Sequence, residues 1–486
     1  MIGAPPSDVE LPHQPASVAF VVSLRLIAVA LLAWLVPLAG LFALAGLVVL
    51  WIVRARVDMT TVLIGYALAL WLIPSRYTVG PFAVTGAMVF GYIGLLLWLY
   101  GRSLPTSGVA HERSPTNRAV LVFLVVTLIG YVTVMLRPIE ELDQRSGDRN
   151  LAIIIGLCGL AAAITDGVRT KRHLNRFIGA LVCAASIVAV IGFLQYFARF
   201  DVAQYLHPPG FTATGEEGFI FSRAGFRRVA GTARHPIEFG IALAATLPLA
   251  LHLATYARTL LGRNLSRIAT LLIAGAIPLA LSRSAVLSTA LVALVILPTY
   301  TPQRRWSVLS TTTVLLLVLP LFVPGVFGTI GELLTGQEGT GSLETRGNAT
   351  EIGLNLIGDK LFFGHGFSVS GISPIIIDNQ YLVTGLEMGL MGVVAFLWLM
   401  GSGVVNARRA RRLTDDPGLR DLGQSLVAVI AAVALGGFGL NVLRFPLTAG
   451  LLFVGVGCAG ALLRIVTSAD MVDEAAGPSE LVGTGS

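Results

Sequence analysis

The sequence predicts an all-α integral membrane protein: a polytopic bundle of 12–14 transmembrane helices with one large extracytoplasmic loop containing short helices. Three observations lead there. Of 486 residues, 55% are hydrophobic and only 13% are charged, about half the roughly 25% charged fraction of a soluble domain, and the mean hydropathy is +0.80. Apolar runs recur along the whole length, several reaching the roughly 20 residues that span a bilayer core as helix. These runs are apolar on all faces and lack the alternation of a membrane barrel, so each must satisfy its own backbone in lipid as a helix. A soluble enzyme and an outer-membrane barrel are both excluded.

In chain order, a polar, proline-containing tail over 1–17 precedes predicted helices at 18–36, 38–53, 60–73, 79–100, 119–136, 150–165 and 177–198. A second set follows at 236–256, 265–281, 284–300, 307–324, 381–404, 422–443 and 446–465, with a disordered tail over 467–486. No removable signal peptide is read at the start. The division is thus an N-terminal helical part, 18–198, and a second membrane region, 199–466. Cys158, Cys183 and Cys458 lie inside apolar segments without metal-ligand spacing, which favours packing over chemistry.

Lysine and arginine total 34 against 27 acids, for a net charge of +7. The basic residues are mostly arginines scattered through short connections, as topology signals are, so no nucleic-acid partner is read. The rich connections are 54–56, 102–118, 169–176, 258–267, 304–305 and 408–420. They alternate so as to lie on one side of the membrane, which the positive-inside rule makes cytoplasmic, together with both termini. The opposite side receives the two longest connections, about 199–235 and 325–380, and long loops in a compact bundle usually carry function. Residues 343–360 in the second loop read as a short amphipathic helix able to lie on the membrane surface.

The first loop reads FIFSRAGFRRVAGTARHPIEFG over 219–240. Its Arg223, Arg227, Arg228, Arg234 and His235 lie where positive charge is disfavoured, so an anion is expected. Guanidinium groups and the unpaired N–H groups of a first helical turn both suit phosphate. Anionic lipid headgroups, or pairing with Glu216, Glu217 and Glu238, are the ordinary alternatives, and Arg234 to Glu238 has the i, i+4 spacing of a local salt bridge. Ser282-Arg283-Ser284 sits between two apolar helices with almost no loop, so Arg283 either snorkels to the interface or points into a cavity. Asp378-Asn379-Gln380-Tyr381 opens a helix that continues through Glu387, Gly389 and Gly392. Asp378 has the ordinary reading of a helix N-cap, and the glycines that of close packing. Glu387, about 13 Å inside that helix at 1.5 Å per residue, needs an arginine or a polar cavity.

Three of these segments together resemble the O-antigen ligase and polymerase superfamily. Arg228-Val-Ala-Gly231-Thr232, closing with His235-Pro236, is similar to its RxxG…HPN element, with Ile237 and Glu238 where asparagine is usual. Leu281-Ser282-Arg283 is similar to its SR element. Asp378-Asn379, nine residues, Gly389, two residues and Gly392 match the spacing of a His-Asn…GxxG element, with aspartate in place of histidine. Arg346 followed by Gly364-His365-Gly366-Phe367 is similar to the arginine and GxG element of the large periplasmic loop.

The resemblance implies a polytopic, metal-independent glycosyltransferase of the cytoplasmic (inner) membrane. It would use a polyprenyl-diphosphate-linked glycan donor and a glycan or glycolipid acceptor at the outer membrane face, in cell-surface polysaccharide biosynthesis, with no cofactor. Arg228 and Arg283 would then clamp the diphosphate, Arg346 would close over it, and Asp378 would be the base or acceptor-orienting group. Arg227, Arg234, His235, His365, Asn379 and Glu387 complete the expected binding set. Aspartate in place of histidine favours a polymerase over a ligase. A transporter or flippase for an anionic or lipid-linked substrate is the reading from another class. It would place ionisable groups at mid-membrane and show repeats, whereas the charge here lies on one face and no matching halves are visible.

Overall fold

The computed structural model describes residues 58–80, 83–103, 114–136, 138, 141–206, 208–214, 220–223, 226–322, 340–368 and 377–476. The predicted helices at 18–36 and 38–53, and Glu216 and Glu217, lie outside them. Among the described residues the chain is helical almost throughout, and eight helices are long and apolar enough to cross a membrane. With the two shorter apolar helices Met59–Leu72 and Arg283–Thr299, they make an all-α polytopic membrane protein.

The N-terminal helices are α1 (Met59–Leu72), α2 (Gly86–Ser103), α3 (Pro115–Met135), α4 (Glu141–Gly167) and α5 (Lys171–Phe193). The second set is α6 (Pro236–Tyr256), α7 (Leu260–Ala276), α8 (Arg283–Ile296), α9 (Pro302–Phe322), α10 (Thr340–Asp359), α11 (Gln380–Leu413), α12 (Pro417–Gly436) and α13 (Pro446–Ala476). Membrane helices lack a hydrophobic drive to associate and pack through small residues and hydrogen bonds instead. The core shows both. Helix α13 lies against α4, α6, α11 and α12, and a Cβ on its Gly457 would stand 3.0 Å from the Ala161 carbonyl oxygen. Asn406 of α11 donates to the Thr116 hydroxyl of α3 at 2.8 Å, and Ser288 of α8 to the Ala432 carbonyl of α12 at 3.0 Å.

Because successive helices run in opposite directions, the connections fall at two ends. One end holds the α2–α3, α4–α5, α6–α7, α8–α9 and α11–α12 links, and with them most of the arginines. The other, the loop end, holds the long connections and, among the described residues, all the strands. Here the structure corrects several boundaries: the predicted helix 150–165 opens at Glu141 and the predicted 422–443 closes at Gly436. The predicted helix 79–100 begins only at Gly86, because Tyr77–Val79 (β1) and Val84–Thr85 (β2) pair antiparallel, with Thr78 opposite Thr85, and Thr212–Ala213 (β3) adds to the far side of β1. Ile220–Arg223 (β4) and Phe226–Val229 (β5) form a hairpin pairing Phe221 with Arg228. The short helix expected over 343–360 is α10.

Candidate functional site

Strand β5 carries Arg227 and Arg228 and ends in a turn whose Gly231 has φ +60°. That left-handed conformation favours glycine, and the space demands it too, since a Cβ there would lie 2.8 Å from both Phe239 and Val188. The buried Gln195 amide grips the turn from both sides: its Nε2 donates to the Gly231 carbonyl and its Oε1 accepts from the Gly231 N–H, each at 2.9 Å. Thr232 donates to the Trp71 carbonyl at 2.5 Å and accepts at its own carbonyl from Ser75 N–H at 3.0 Å. The RxxG element is therefore a rigid turn locked between the ends of α1 and α5.

From this turn the arginines diverge. Arg228 is buried, and its Nε donates to the Ala280 carbonyl at 2.9 Å, one residue before the Leu281-Ser282-Arg283 element. Leu281 adopts φ +41°, Ser282 caps α8 by accepting from Ala285 N–H at 3.4 Å, and Arg283 opens the helix half-buried. The structure thus joins two of the sequence elements through one hydrogen bond. Arg227 turns toward α5 and donates to the Tyr196 carbonyl.

His235 caps α6: its ring Nδ1 accepts from Ile237 N–H at 3.2 Å, which places the proton of the neutral ring on Nε2. The ring packs against Phe221 with centroids 5.5 Å apart and the planes tilted by 56°. Burial, reinforced by the Arg228 charge, pulls the imidazole down from 6.5 to about 4. Glu238 forms no side-chain ion pair with Arg234. It is fully buried and ties two helix starts together, accepting from Arg234 N–H and Leu447 N–H at 2.8 Å each. Leu447 lies in the first turn of α13, whose amides have no partner within the helix, and Arg234 lies just before α6.

Arg234 instead extends its guanidinium to Thr214 at 3.3 Å and lines a cavity of about 110 Å³ with Arg149, Asn150 and Arg444. A smaller void of about 20 Å³ shares Asn150 and Arg444 and reaches Gln380 and Glu387. Arg149 feels the charges of both Arg234 and Arg444. Arg444 ion-pairs with Glu387 at 2.6 Å, which answers the need of a carboxylate inside a membrane helix. Arg149 and Arg444 were not among the residues singled out from sequence. Both occupy the end where arginine is sparse, so the mismatch that marked 223–234 applied to them equally.

At the start of α11 the cap is Asn379, whose Oδ1 accepts from Tyr381 N–H at 2.9 Å and Leu382 N–H at 3.2 Å. The ordinary N-cap reading of Asp378 is thereby displaced, and Asp378 is exposed. Gln380 fastens this helix start to the α12–α13 connection, its N–H donating to Gly437 and its Oε1 accepting from Leu443 N–H, each at 2.8 Å. A Cβ on Gly439 of the same connection would stand 2.5 Å from Ser284 Oγ, so the starts of α8 and α11 flank one segment.

The glycines of the GxxG element do more than allow close packing. Gly389 breaks α11 with φ +64° and ψ −162°, and the segment after α10 repairs the break. His365 N–H donates to the Leu386 carbonyl at 2.7 Å and Gly366 N–H to Glu387 at 3.0 Å, while Leu390 N–H donates to Leu361 at 2.7 Å. The His365 ring Nε2 lies 2.8 Å from the Leu356 carbonyl and secures the end of α10. The GxG and GxxG elements are therefore two halves of one joint. Arg346 lies in α10, its side chain outside the described residues.

A comparison with curated proteins returns no match. Residues 268–397, from α7 past the Gly389 break, match the family model described as O-antigen ligase, which supports the resemblance to the O-antigen ligase and polymerase superfamily drawn from the motifs.

Proposed function

We propose that the protein is a glycosyltransferase that moves or polymerises a polyprenyl-diphosphate-linked oligosaccharide at the outer face of the cytoplasmic membrane, in cell-surface polysaccharide biosynthesis. The observation that carries this reading is the gathering of Arg228, Arg234, Arg283, Arg149 and Arg444 around helix starts at the end of the bundle opposite the arginine-rich loops. The positive-inside rule makes that end extracytoplasmic and the other cytoplasmic, with both termini.

In the reaction an acceptor hydroxyl oxygen attacks the anomeric carbon, the bond from that carbon to the diphosphate oxygen breaks, and the hydroxyl proton passes to a base. The leaving diphosphate gains negative charge. Arg228, held by the Ala280 carbonyl, and Arg283, which opens α8, are suited to stabilise it, because fixed donors aimed at developing charge act most strongly where water is scarce. Asp378, relieved of capping by Asn379, takes the proton or orients the acceptor. Arg234, Arg149 and Arg444 supply positive potential for the donor's remaining phosphate or for anionic sugars, with Glu387 holding Arg444 in place. His365, Arg227 and Asn379, expected to bind substrate, act here by fixing the backbone that carries the site. Aspartate at 378 in place of histidine favours polymerisation over ligation.

The test is reconstitution in liposomes with a polyprenyl-diphosphate oligosaccharide and no nucleotide sugar, following glycan length by gel. A ladder of whole repeat units is expected. A single transfer that requires a separate acceptor would convert the reading to a ligase, and no product with several donors would overturn it in favour of transport.

A further inference from the structure

The far end of the bundle holds a second, larger cavity, which the proposed reaction does not use. It has a volume of about 950 Å³ and lies between α6, α7, α9 and the start of α12. Its walls are of two kinds. Leu247, Leu251, Leu271, Ala274, Val308 and Leu315 make an apolar side. Arg263, Arg267, Arg304, Arg411 and Arg420 make a basic side, against which stand only Asp415 and Asp421.

The acids do not neutralise this set. Asp421 is already engaged by Arg304 at 2.5 Å and His252 at 2.8 Å, and Arg304 also lies 3.6 Å over the Tyr300 ring. That leaves four arginines facing Asp415. Arg411 is oriented by Gln424 at 2.5 Å and lies near enough to Arg420 to feel its charge.

The depth of the cavity is also marked. Trp306 stands 71% exposed two residues beyond Arg304, as tryptophans do at the level of lipid headgroups. Leu271 on α7, which lines the cavity, is 51% exposed, so this lip of the cavity faces acyl chains. A soluble anion would use only the basic side. A molecule with a phosphate and a hydrocarbon tail uses both.

We propose that this cavity binds the headgroup of an anionic phospholipid from the leaflet at the arginine-rich end, with the phosphate between Arg267, Arg411 and Arg420 and an acyl chain along Leu271 and Leu315. The geometry meets the two requirements of such recognition: clustered basic side chains close to the membrane surface and a pocket concave enough to remove the headgroup from bulk water.

The experiment uses the full-length protein in detergent and reads phospholipid retention by native mass spectrometry and the thermal unfolding midpoint. The probes are phosphatidylglycerol, phosphatidylcholine and inorganic phosphate. Phosphatidylglycerol should be retained and raise the midpoint, as any ligand selective for the folded state does. The double variant R267Q/R420Q should bind it about tenfold or more weakly, since each arginine near an anionic surface contributes, while unfolding in phosphatidylcholine as the wild type does. Thr311→Trp, which fills the cavity without altering charge, should give the same loss and supplies the reading if the double variant does not fold. Equal retention of phosphatidylcholine, wild-type binding by both variants, or protection by inorganic phosphate equal to that by phosphatidylglycerol would overturn the proposal.

Discussion

Two corners of the bundle, one around Asp166 at the arginine-rich end and one around Arg234 at the loop end, use arginine in opposite ways. Around Asp166, basic residues are matched with an acid and carbonyls that lock helices together. Arg464 donates to the carbonyls of Asp166 and Val168 at 2.7 and 2.5 Å, and the Asp166 carboxylate collects Trp98, Asn117 and Arg102. At the loop end the acids are spent elsewhere. Glu238 serves two backbone amides and Glu387 pairs with Arg444, while Arg234 and Arg149 join Arg444 around a cavity. The same residue type is a clasp where acids accompany it and the lining of a positively charged cavity where the acids are withdrawn to cap helices.

The largest effect should come from removing charge at the loop end. Arg283→Ala is expected to lower glycan transfer about 10²–10³-fold, the usual cost of losing one fixed donor to developing charge. Asp378→Asn should lower it about 10²–10⁴-fold, the range for a lost general base. Arg409→Gln, an exposed change at the opposite end, should leave transfer within about twofold, as surface substitutions do. Initial rates in proteoliposomes, with insertion checked by protease protection, make the comparison. Loss of activity on changing Arg409 would mean that the ends are assigned the wrong way round.

Gly389→Ala attacks the joint that supports the site. A Cβ there would lie 2.4 Å from the Phe362 carbonyl carbon and oxygen, in a left-handed conformation that costs a non-glycine residue about 1–3 kcal/mol. The clash adds to that, so a fall of about 3 kcal/mol in unfolding free energy is expected, measured by denaturant titration in mixed micelles. Gly401→Ala in the same helix, where nothing stands near the added carbon, should be neutral or stabilising.

How legible this was in the sequence depends on the length of the interactions concerned. Helix α6 was expected at 236–256 and stands at Pro236–Tyr256, because hydropathy and the His-Pro start are both local signals. The β1–β2 hairpin was absorbed into a predicted helix, since a short strand and a buried helix segment look alike as apolar runs. The order of the RxxG, SR and GxxG elements pointed to the family. Their physical tasks, the Gln195 grip on Gly231 and the closure of the Gly389 break by residues 361–366, are contacts across the fold that spacing does not encode. Arg149 and Arg444 stayed hidden for a related reason, each being an unremarked charge beside a predicted helix end until the fold placed them together.

Acid separates the two ends as well. His235 has its proton affinity lowered to about 4 from 6.5, by burial and then by Arg228. A base depressed in the folded state contributes stability that is present above 6.5 and lost as pH falls through about 4. Protonation also removes the Nδ1 lone pair that accepts from Ile237 N–H. The unfolding midpoint should therefore drop between pH 6.5 and 4, and His235→Asn, which keeps a capping acceptor, should flatten that part of the profile. An unchanged profile would remove His235 from the neutral capping role.

The smallest effects belong to Lys171 and Asp416 at the arginine-rich end, which meet at 2.5 Å with side chains 42% and 39% exposed. Asp416 also caps α12, accepting from Gly418 N–H at 2.7 Å and Leu419 N–H at 3.0 Å. Burial works against its charge, yet Lys171 and these amides prevail and hold the carboxyl below its ordinary value. The resulting stability is present above that ordinary value and is lost as pH falls below it. An exposed ion pair contributes about 0–1 kcal/mol and an N-cap about 1 kcal/mol, so Asp416→Ala should cost more than Lys171→Ala. Salt decides between the two contributions: about 1 M sodium chloride should erase most of the Lys171 effect by screening and leave most of the Asp416 effect, because the cap is a short hydrogen-bonded contact. Equal losses at low salt that vanish together at high salt would show instead that the ion pair alone holds this corner, and that the arginine-rich end owes its order to charge and not to the matching of helix ends.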